Sequence, residues 1–476
     1  MVFFVFLCVA FAVSLAPRVM AQARGEQSSS NQYTTIIRNT FEIIQRNFVE
    51  EVDQNQLFEG AMRGMLESLE DPNSSFLPES HMARLRDTTQ GTFGGVGLFV
   101  TKPNRTDGSP NYLEVAAPIE GTPGWRAGLT TGDLIVKIDG ESTAPLTSDE
   151  AVAMLRGHPG TEVKLNIRRG ELIEFPVTLV RAIIEVPTVR YAMIGNFGYI
   201  NVLTFTPRTA ERVRDAIREF QGHNYQGIIL DMRNNHGGLL DAAIAVSSIF
   251  LDSGPVVSIR SRTNNQVHNT RGRAIVPQNI PIVVLINRGS ASASEIVAGA
   301  LKDHGRAFLV GERTFGKGSV QQVYPLERAG FTLTVARYFT PSGANIDRIG
   351  IPPDREVRFP QITEADAVIL NALLNSGKIA DFIQNNPDAQ APEIEAFAVE
   401  LNREYALGTF LLRRLIRNEQ NRRTVAPLYD LDYDVQLQEA VRILEEGNFW
   451  NLIQNARTIQ QLQEELQLEE QTALAS

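Results

Sequence analysis

Three uninterrupted apolar runs set the narrowest limit on how this chain folds. GIILDMR (227–233), IPIVVLIN (280–287) and AFLVG (307–311) show no alternation of polar and apolar residues, so both faces of each strand must be buried. Helical patterns lie around them, over 208–220, 238–250 and 292–303, and a further strand, FGYINVLTF (197–205), comes first. Buried strands alternating with helices predict a sheet covered on both faces.

The flanking segments differ in character. Residues 33–49 read as an amphipathic helix through Ile36, Ile37, Phe41, Ile44 and Phe48. A second helix, 54–69, carries Phe58, Ala61, Met62, Met65 and Leu69 on one face and stops at EDPNSS, where Pro72 and Asn73 favour a turn. From 91 the pattern becomes β-like. GTFGGVGLFV leads to YLEVAAPI (112–119), GDLIVKIDG (132–140), a short helix at 148–157 and the alternating EVKLNIRRG (162–170). This is a compact mixed α/β module ending near 183. From about 363 the chain turns helical again and ends in a polar tail.

Among 476 residues the formal net charge is −10, which argues against nucleic acid or an anionic membrane as the main partner. The N-terminus carries the apolar run VFFVFLCVAFAVSLA (2–16), then Pro17, Arg18 and AQA (21–23). That run is short for a membrane span, and the small residues suit signal-peptidase cleavage, so 1–23 is expected to act as a signal peptide or anchor. The single cysteine, Cys8, lies inside it. A mature chain without cysteine excludes thiol catalysis, disulfides and thiolate metal sites.

FLVGERTFGKGSVQQ (308–322) nearly spells a phosphate-binding loop, but Gly318 stands where the Mg²⁺-binding Ser or Thr belongs, and a strand-like stretch follows. Lys317 therefore needs another role. NRGSASASEIVAGAL (287–301) places Ser290, Ser292 and Ser294 between a buried strand and a helix, where backbone N–H groups can stabilise an oxyanion. It is not a G-x-S-x-G elbow. A serine hydroxyl needs a base, and a lysine serves only when neutral. For an isolated serine and lysine, the plainer reading is a helix cap and a surface charge. Of the six histidines only His236, in LDMRNNHGGLLD, sits in a motif-like setting, and no spacing makes a metal site or triad.

The motifs converge when taken together. GAMRGMLESLEDPNSSFL (60–77), GTFGGVGL (91–98), GTPGWRAGLTTGDLIVKIDG (121–140), LRGHPGTEVKLNIRR (155–169), ILDMRNNHGGLL (229–240), SASASEIVAGAL (290–301) and TFGKGSVQ (314–321) occur in this order. The chain resembles the carboxyl-terminal processing peptidases, PDZ-containing Ser/Lys proteases, over about 33–360, with a weaker echo at YDVQLQEAVRIL (433–444). The resemblance implies an α+β, multidomain fold: a signal or anchor (1–23), an N-terminal helical region (24–90), a PDZ domain (91–183), a mixed α/β serine protease core (184–362) and a C-terminal helical region (363–476).

It further implies Ser292 as nucleophile, Lys317 as general base and Gln321 as the residue holding the lysine. The oxyanion hole would use the N–H groups of Gly238 and Ala293. Gly95, Val96, Gly97 and Leu98 would form the loop that takes a substrate's terminal carboxylate, with a preference for apolar C-termini. No metal or organic cofactor is required. The implied partners are protein or peptide substrates, an activating adaptor and further copies of the chain through the helical ends. Two departures stand out: His236 replaces the usual proline, and Gly124 replaces the usual alanine, next to Trp125. The alternative reading is an inactive PDZ scaffold or adaptor in the cell envelope. Retention of Ser292, Lys317 and Gln321 weighs against it.

Overall fold

The computed structural model describes residues 31–79, 81–82, 91–102, 110–170, 172–327, 329–359, 363–423, 428–465 and 468. The apolar run at 2–16, the small residues at 21 and 23, and Cys8 lie outside these residues. The chain forms two compact bodies, one of residues up to Met82 with Gln321–Thr334, the other of Ala83–Val320 with Val335–Ser476.

In the smaller body, a helix over 31–47 precedes the helix Gln54–Glu67. Asp53 caps the second helix by accepting the Asn55 N–H at 2.8 Å. It ends at Glu67, before the expected Leu69. The strand Ser75–Leu77 pairs antiparallel with 330–332, Phe76 opposite Phe331. Phe58 packs edge-on against Phe76, and Tyr324 stacks on Phe331.

The larger body is built on a six-stranded sheet in the order Val189–Ile194, Phe197–Val202, Gly227–Asp231, Ile282–Ile286, Phe308–Gly311 and Arg355–Glu356. The first pair is antiparallel and the rest are parallel. All five residues of Gly227–Asp231 and of Ile282–Ile286 are buried, as their unbroken apolar runs require. Val213, Ile217, Ile249 and Val297, from the helices Thr209–Gln221, Leu240–Phe250 and Ala293–Asp303, pack against Ile228, Leu230, Ile282 and Val284. Leu437, Ala440, Ile443 and Leu444, from the helix Val435–Glu445, pack with Ile229, Val283, Leu285 and Val310.

The faint motif at 433–444 is thus the helix that closes the second face of the sheet. An ion network anchors it. The partly buried Arg233 bonds both Asp434 oxygens, at 2.7 and 2.6 Å, and Asp231 Oδ2 at 2.6 Å, and Tyr199 donates to the same Asp231 oxygen at 2.8 Å. Removing Asp434 takes two charge-assisted hydrogen bonds from Arg233, which keeps Asp231 as its counter-charge. Asp434→Ala is therefore expected to cost about 1.5–3 kcal/mol of stability, read by urea denaturation.

The module from Thr92 has its own core of Leu113, Val115, Ile135, Ile138, Val163, Leu165 and Ile167. Its main sheet runs Leu98–Thr101, Leu113–Pro118, Leu134–Ile138, Glu162–Arg169, Ile173–Val180, which leaves Leu98–Thr101 at an edge. The helices from Glu364 to Arg423 gather around Leu373, Ile383, Ile394, Leu412 and Ile416, a cluster separate from the one under Val435–Glu445. The C-terminal region is therefore two packing units.

Candidate active site

The strand Ile282–Ile286 runs into Asn287, whose side-chain oxygen accepts the N–H groups of Asn234 at 2.9 Å and Gly289 at 3.0 Å. The next turn is pinned on both sides. The buried Ser290 hydroxyl donates to the Met232 carbonyl at 2.8 Å, and the buried Ser294 hydroxyl donates to the Asn235 carbonyl at 2.8 Å. Both outer serines are occupied by structural bonds. Ser292, between them, is partly exposed, and its side chain interacts with the buried Tyr338 hydroxyl. Burial pushes that phenol up to about 12, against a smaller opposing effect of Ser292.

Ser292 itself has φ +55° and ψ −114°, a conformation that only glycine adopts without strain. Such a residue costs on the order of 1–3 kcal/mol and persists only where its surroundings over-determine it. Ser292→Gly is therefore expected to raise stability by about 1 kcal/mol while abolishing activity, measured as a higher melting temperature of an inert protein. A variant less stable than wild type would remove strain from the account.

The segment bearing Lys317 meets this turn through one carboxylate. Glu295, fully buried in the first turn of Ala293–Asp303, accepts the Ser292 N–H at 2.8 Å and the Lys317 N–H at 2.9 Å on the same oxygen, Oε2. Its Oε1 accepts the Gly316 N–H at 2.7 Å and the Thr314 hydroxyl at 2.5 Å. A fourth link, independent of the carboxylate, joins the Phe315 N–H to the Ser290 carbonyl at 3.0 Å. Among the described residues Glu295 makes no ion pair with the Lys317 ammonium. It meets Lys317 only through the backbone. Burial pushes the Glu295 carboxyl above the usual range, while its four donors pull the other way without cancelling the effect.

Residues 196–357 match peptidase family S41, residues 114–169 a PDZ domain, and residues 9–80 the N-terminal domain of the activating protease CtpB. A carboxy-terminal-processing protease of Bartonella bacilliformis is 41% identical over 365 residues, which cover 75% of this chain and 82% of that one. The chain belongs to peptidase family S41, the carboxy-terminal-processing serine peptidases. The carboxy-terminal processing protease CtpA of Bacillus subtilis is 32% identical over 373 residues, covering 78% of this chain and 79% of that one. Among solved structures, the photosystem II D1 C-terminal processing protease is 31% identical, covers 67% of this chain and 91% of that chain, and superposes with a TM-score of 0.40.

In this S41 peptidase the turn after Gly227–Asp231 closes the other side of Ser292. Gly237 has φ +101°, and a Cβ there would lie 2.8 Å from the Ser292 Cβ and 2.9 Å from the Ala293 nitrogen. Gly238, with φ +145°, abuts Phe205 instead. The N–H groups of Gly238 and Ala293 have no hydrogen-bond acceptor among the described residues. Asn235 sets the turn. Its amide donates to the Val202 carbonyl at 2.7 Å, its side-chain oxygen accepts the Gly237 N–H at 2.9 Å, and its carbonyl takes both the Ala291 N–H and the Ser294 hydroxyl. His236 is exposed. The turn thus holds its shape through Asn235, without the proline.

Gln321 belongs to the smaller body, where its side chain donates to the Thr334 hydroxyl at 3.3 Å. Gly95, Val96, Gly97 and Leu98 all line a cavity of about 340 Å³, together with Phe93 and Arg156. The carbonyls of Val96 and Gly97 are bound by the N–H groups of Gly124 and Ile119, at 2.8 and 2.9 Å. Gly97 has φ +73° and packs against Thr122, leaving no room for a side chain. The Arg156 guanidinium lies 4.6 Å from the Phe93 ring centre. No group of three or more His, Cys, Asp or Glu side chains is placed to hold a metal among the described residues.

Proposed function

We propose that the peptidase cleaves protein substrates through a Ser292/Lys317 dyad. The observation that carries this reading is the Glu295 carboxylate holding the Ser292 and Lys317 amides on one oxygen. Lys317, as the neutral amine, takes the proton of the Ser292 hydroxyl. The oxygen attacks the peptide carbonyl, and the developing oxyanion is received by the N–H groups of Ala293 and Gly238. Collapse, with the Lys317 ammonium giving its proton to the leaving nitrogen, releases the amine product and leaves an acyl-Ser292 ester, which water, deprotonated by the restored amine, then hydrolyses. Gln321 is proposed to hold the lysine, and Tyr338 orients the serine hydroxyl.

A serine-directed acylating reagent tests this reading. Mass spectrometry is expected to place the adduct on Ser292, with acylation slowed by Lys317→Ala. An adduct elsewhere would reassign the nucleophile.

The PDZ domain is proposed to bind substrates by their C-termini. The support is an apolar cavity beside the edge strand Leu98–Thr101, where a peptide can pair as an added strand while loop N–H groups meet its carboxylate. On Ser292→Ala protein, C-terminal amidation of a peptide with an apolar terminus is expected to weaken binding by about tenfold or more, measured by fluorescence anisotropy. Equal affinities would remove carboxylate capture.

Export by the segment 1–23 and activation by an adaptor belong to the same proposal. So does assembly through the N-terminal helix, where Tyr33, Ile36 and Ile37 are exposed. None of the described helices is long and apolar enough to cross a membrane.

A further inference from the structure

The loop that carries Lys317 also walls a second cavity, of about 390 Å³. Arg288, Arg313, Arg348 and Arg358 line it, with Glu312 and Glu356. Glu356 is taken by Arg358, at 2.6 Å. Arg288, Arg313 and Arg348 make no ion pair among the described residues, and Arg313 has only a 3.4 Å bond to the Ile349 carbonyl. A chain of net charge −10 has thus gathered a surplus of guanidinium groups in one concave place. Like charges repel when so gathered, and an anion removes the penalty.

The position is also telling. Arg288 and Glu312 follow the strands Ile282–Ile286 and Phe308–Gly311, so the cavity opens at the carboxyl ends of parallel strands, where open α/β sheets take their ligands. The walls are continuous with the peptidase site. The Arg348 N–H bonds the Gly316 carbonyl at 2.7 Å, and Phe315, itself lining the cavity, is tied to Ser290. Arg348 has φ +62°, an uncommon conformation for a residue with a side chain.

We propose that this cavity is a subsite for a carboxylate group of the polypeptide substrate, occupied while the scissile bond lies at Ser292. It rests on the reading of Ser292 and Lys317 as the dyad. Guanidinium forks match carboxylate geometry, and a carboxylate is the anion that an unmodified polypeptide carries. The carboxylate belongs either to an acidic side chain near the scissile bond or to the end of the chain.

The test uses matched fluorogenic peptides of one sequence. One carries Glu beside the cleaved bond with an amidated end, one carries Gln with an amidated end, and one carries Gln with a free end. Wild type is expected to favour a carboxylate-bearing peptide over the Gln amide by about tenfold in kcat/KM. In Arg288→Gln/Arg313→Gln protein that preference is expected to vanish while turnover of the Gln amide is unchanged. A preference confined to the Glu amide assigns a side-chain carboxylate, and one confined to the free end assigns the chain terminus.

Arg348→Gly, which suits the left-handed backbone, repeats the test if the double variant fails to fold. Binding of the Glu and Gln amides to Ser292→Ala protein reads the cavity without cleavage, so failure of the dyad is told apart from failure of the subsite. Retention of the full preference in both arginine variants, in turnover and in binding, overturns the proposal.

Discussion

Ser292→Ala and Lys317→Ala are each expected to lower kcat/KM on an unfolded protein substrate with an apolar C-terminus by at least about 10⁴-fold. Far-UV circular dichroism and binding of the substrate's free C-terminus are expected to stay unchanged. Lys317→Arg is expected to be equally dead, because a guanidinium cannot give up its proton to serve as a base. His236→Ala is the control. His236 is exposed, and its turn is set by Asn235, so activity is expected to stay within about tenfold of wild type. Near-normal turnover by Lys317→Ala would hand the base to another group and end the dyad account.

Glu295→Gln is expected to cost about 10²–10³-fold in kcat with both dyad side chains still present. Ionised, Glu295 offers acceptors to four donors. Glutamine keeps one acceptor oxygen and turns an NH₂ group towards the donors on the other side. The turns holding Ser292 and Lys317 then lose their common anchor, and small misplacements of reacting groups carry large rate penalties.

The same carboxylate gives a pH signature. Burial raises its native pKa above the ordinary value of 4.5. Between the two values the native state binds more protons than the unfolded one, so this group's contribution to stability is full below 4.5 and is lost as pH rises through the raised value. Activity goes the other way, because protonation turns one acceptor into a donor. Acidification through that window is expected to switch off turnover while the Glu295 contribution to melting temperature increases. Glu295→Gln should lose the part of the acid limb that this carboxylate sets, together with its contribution to the melting temperature. An acid limb unchanged in Glu295→Gln would assign it to a different group.

The parts of the fold set by periodicity could be read from the chain. The unbroken apolar strands, their intervening helices and the alternation of Val163, Leu165 and Ile167 all follow from which faces are buried. Ser292 and Lys317 could be proposed only from motif order, because two residues 25 apart have no periodic relation. Glu295, Asn235 and Tyr338 were missed for a common reason. Each acts through contacts across the chain, to residues as far as 59 positions away in the case of Asn235. A local signal for Glu295 did exist: S-x-x-E over Ser292–Glu295 is the pattern of a helix capping box, and the Ser292 N–H does bond the Glu295 side chain. The partnership of Arg233 and Asp434, 201 positions apart, has no local signature at all.

That partnership also orders events in time. Until Asp434 has been synthesised, Arg233 and Asp231 have no third member, and the sheet face holding Ile229, Val283 and Val310 lacks the helix that covers it. Closing a loop of this length is slow compared with forming neighbouring turns. The sheet that carries Ser292 therefore has its second face covered only after the chain has run on to Leu444.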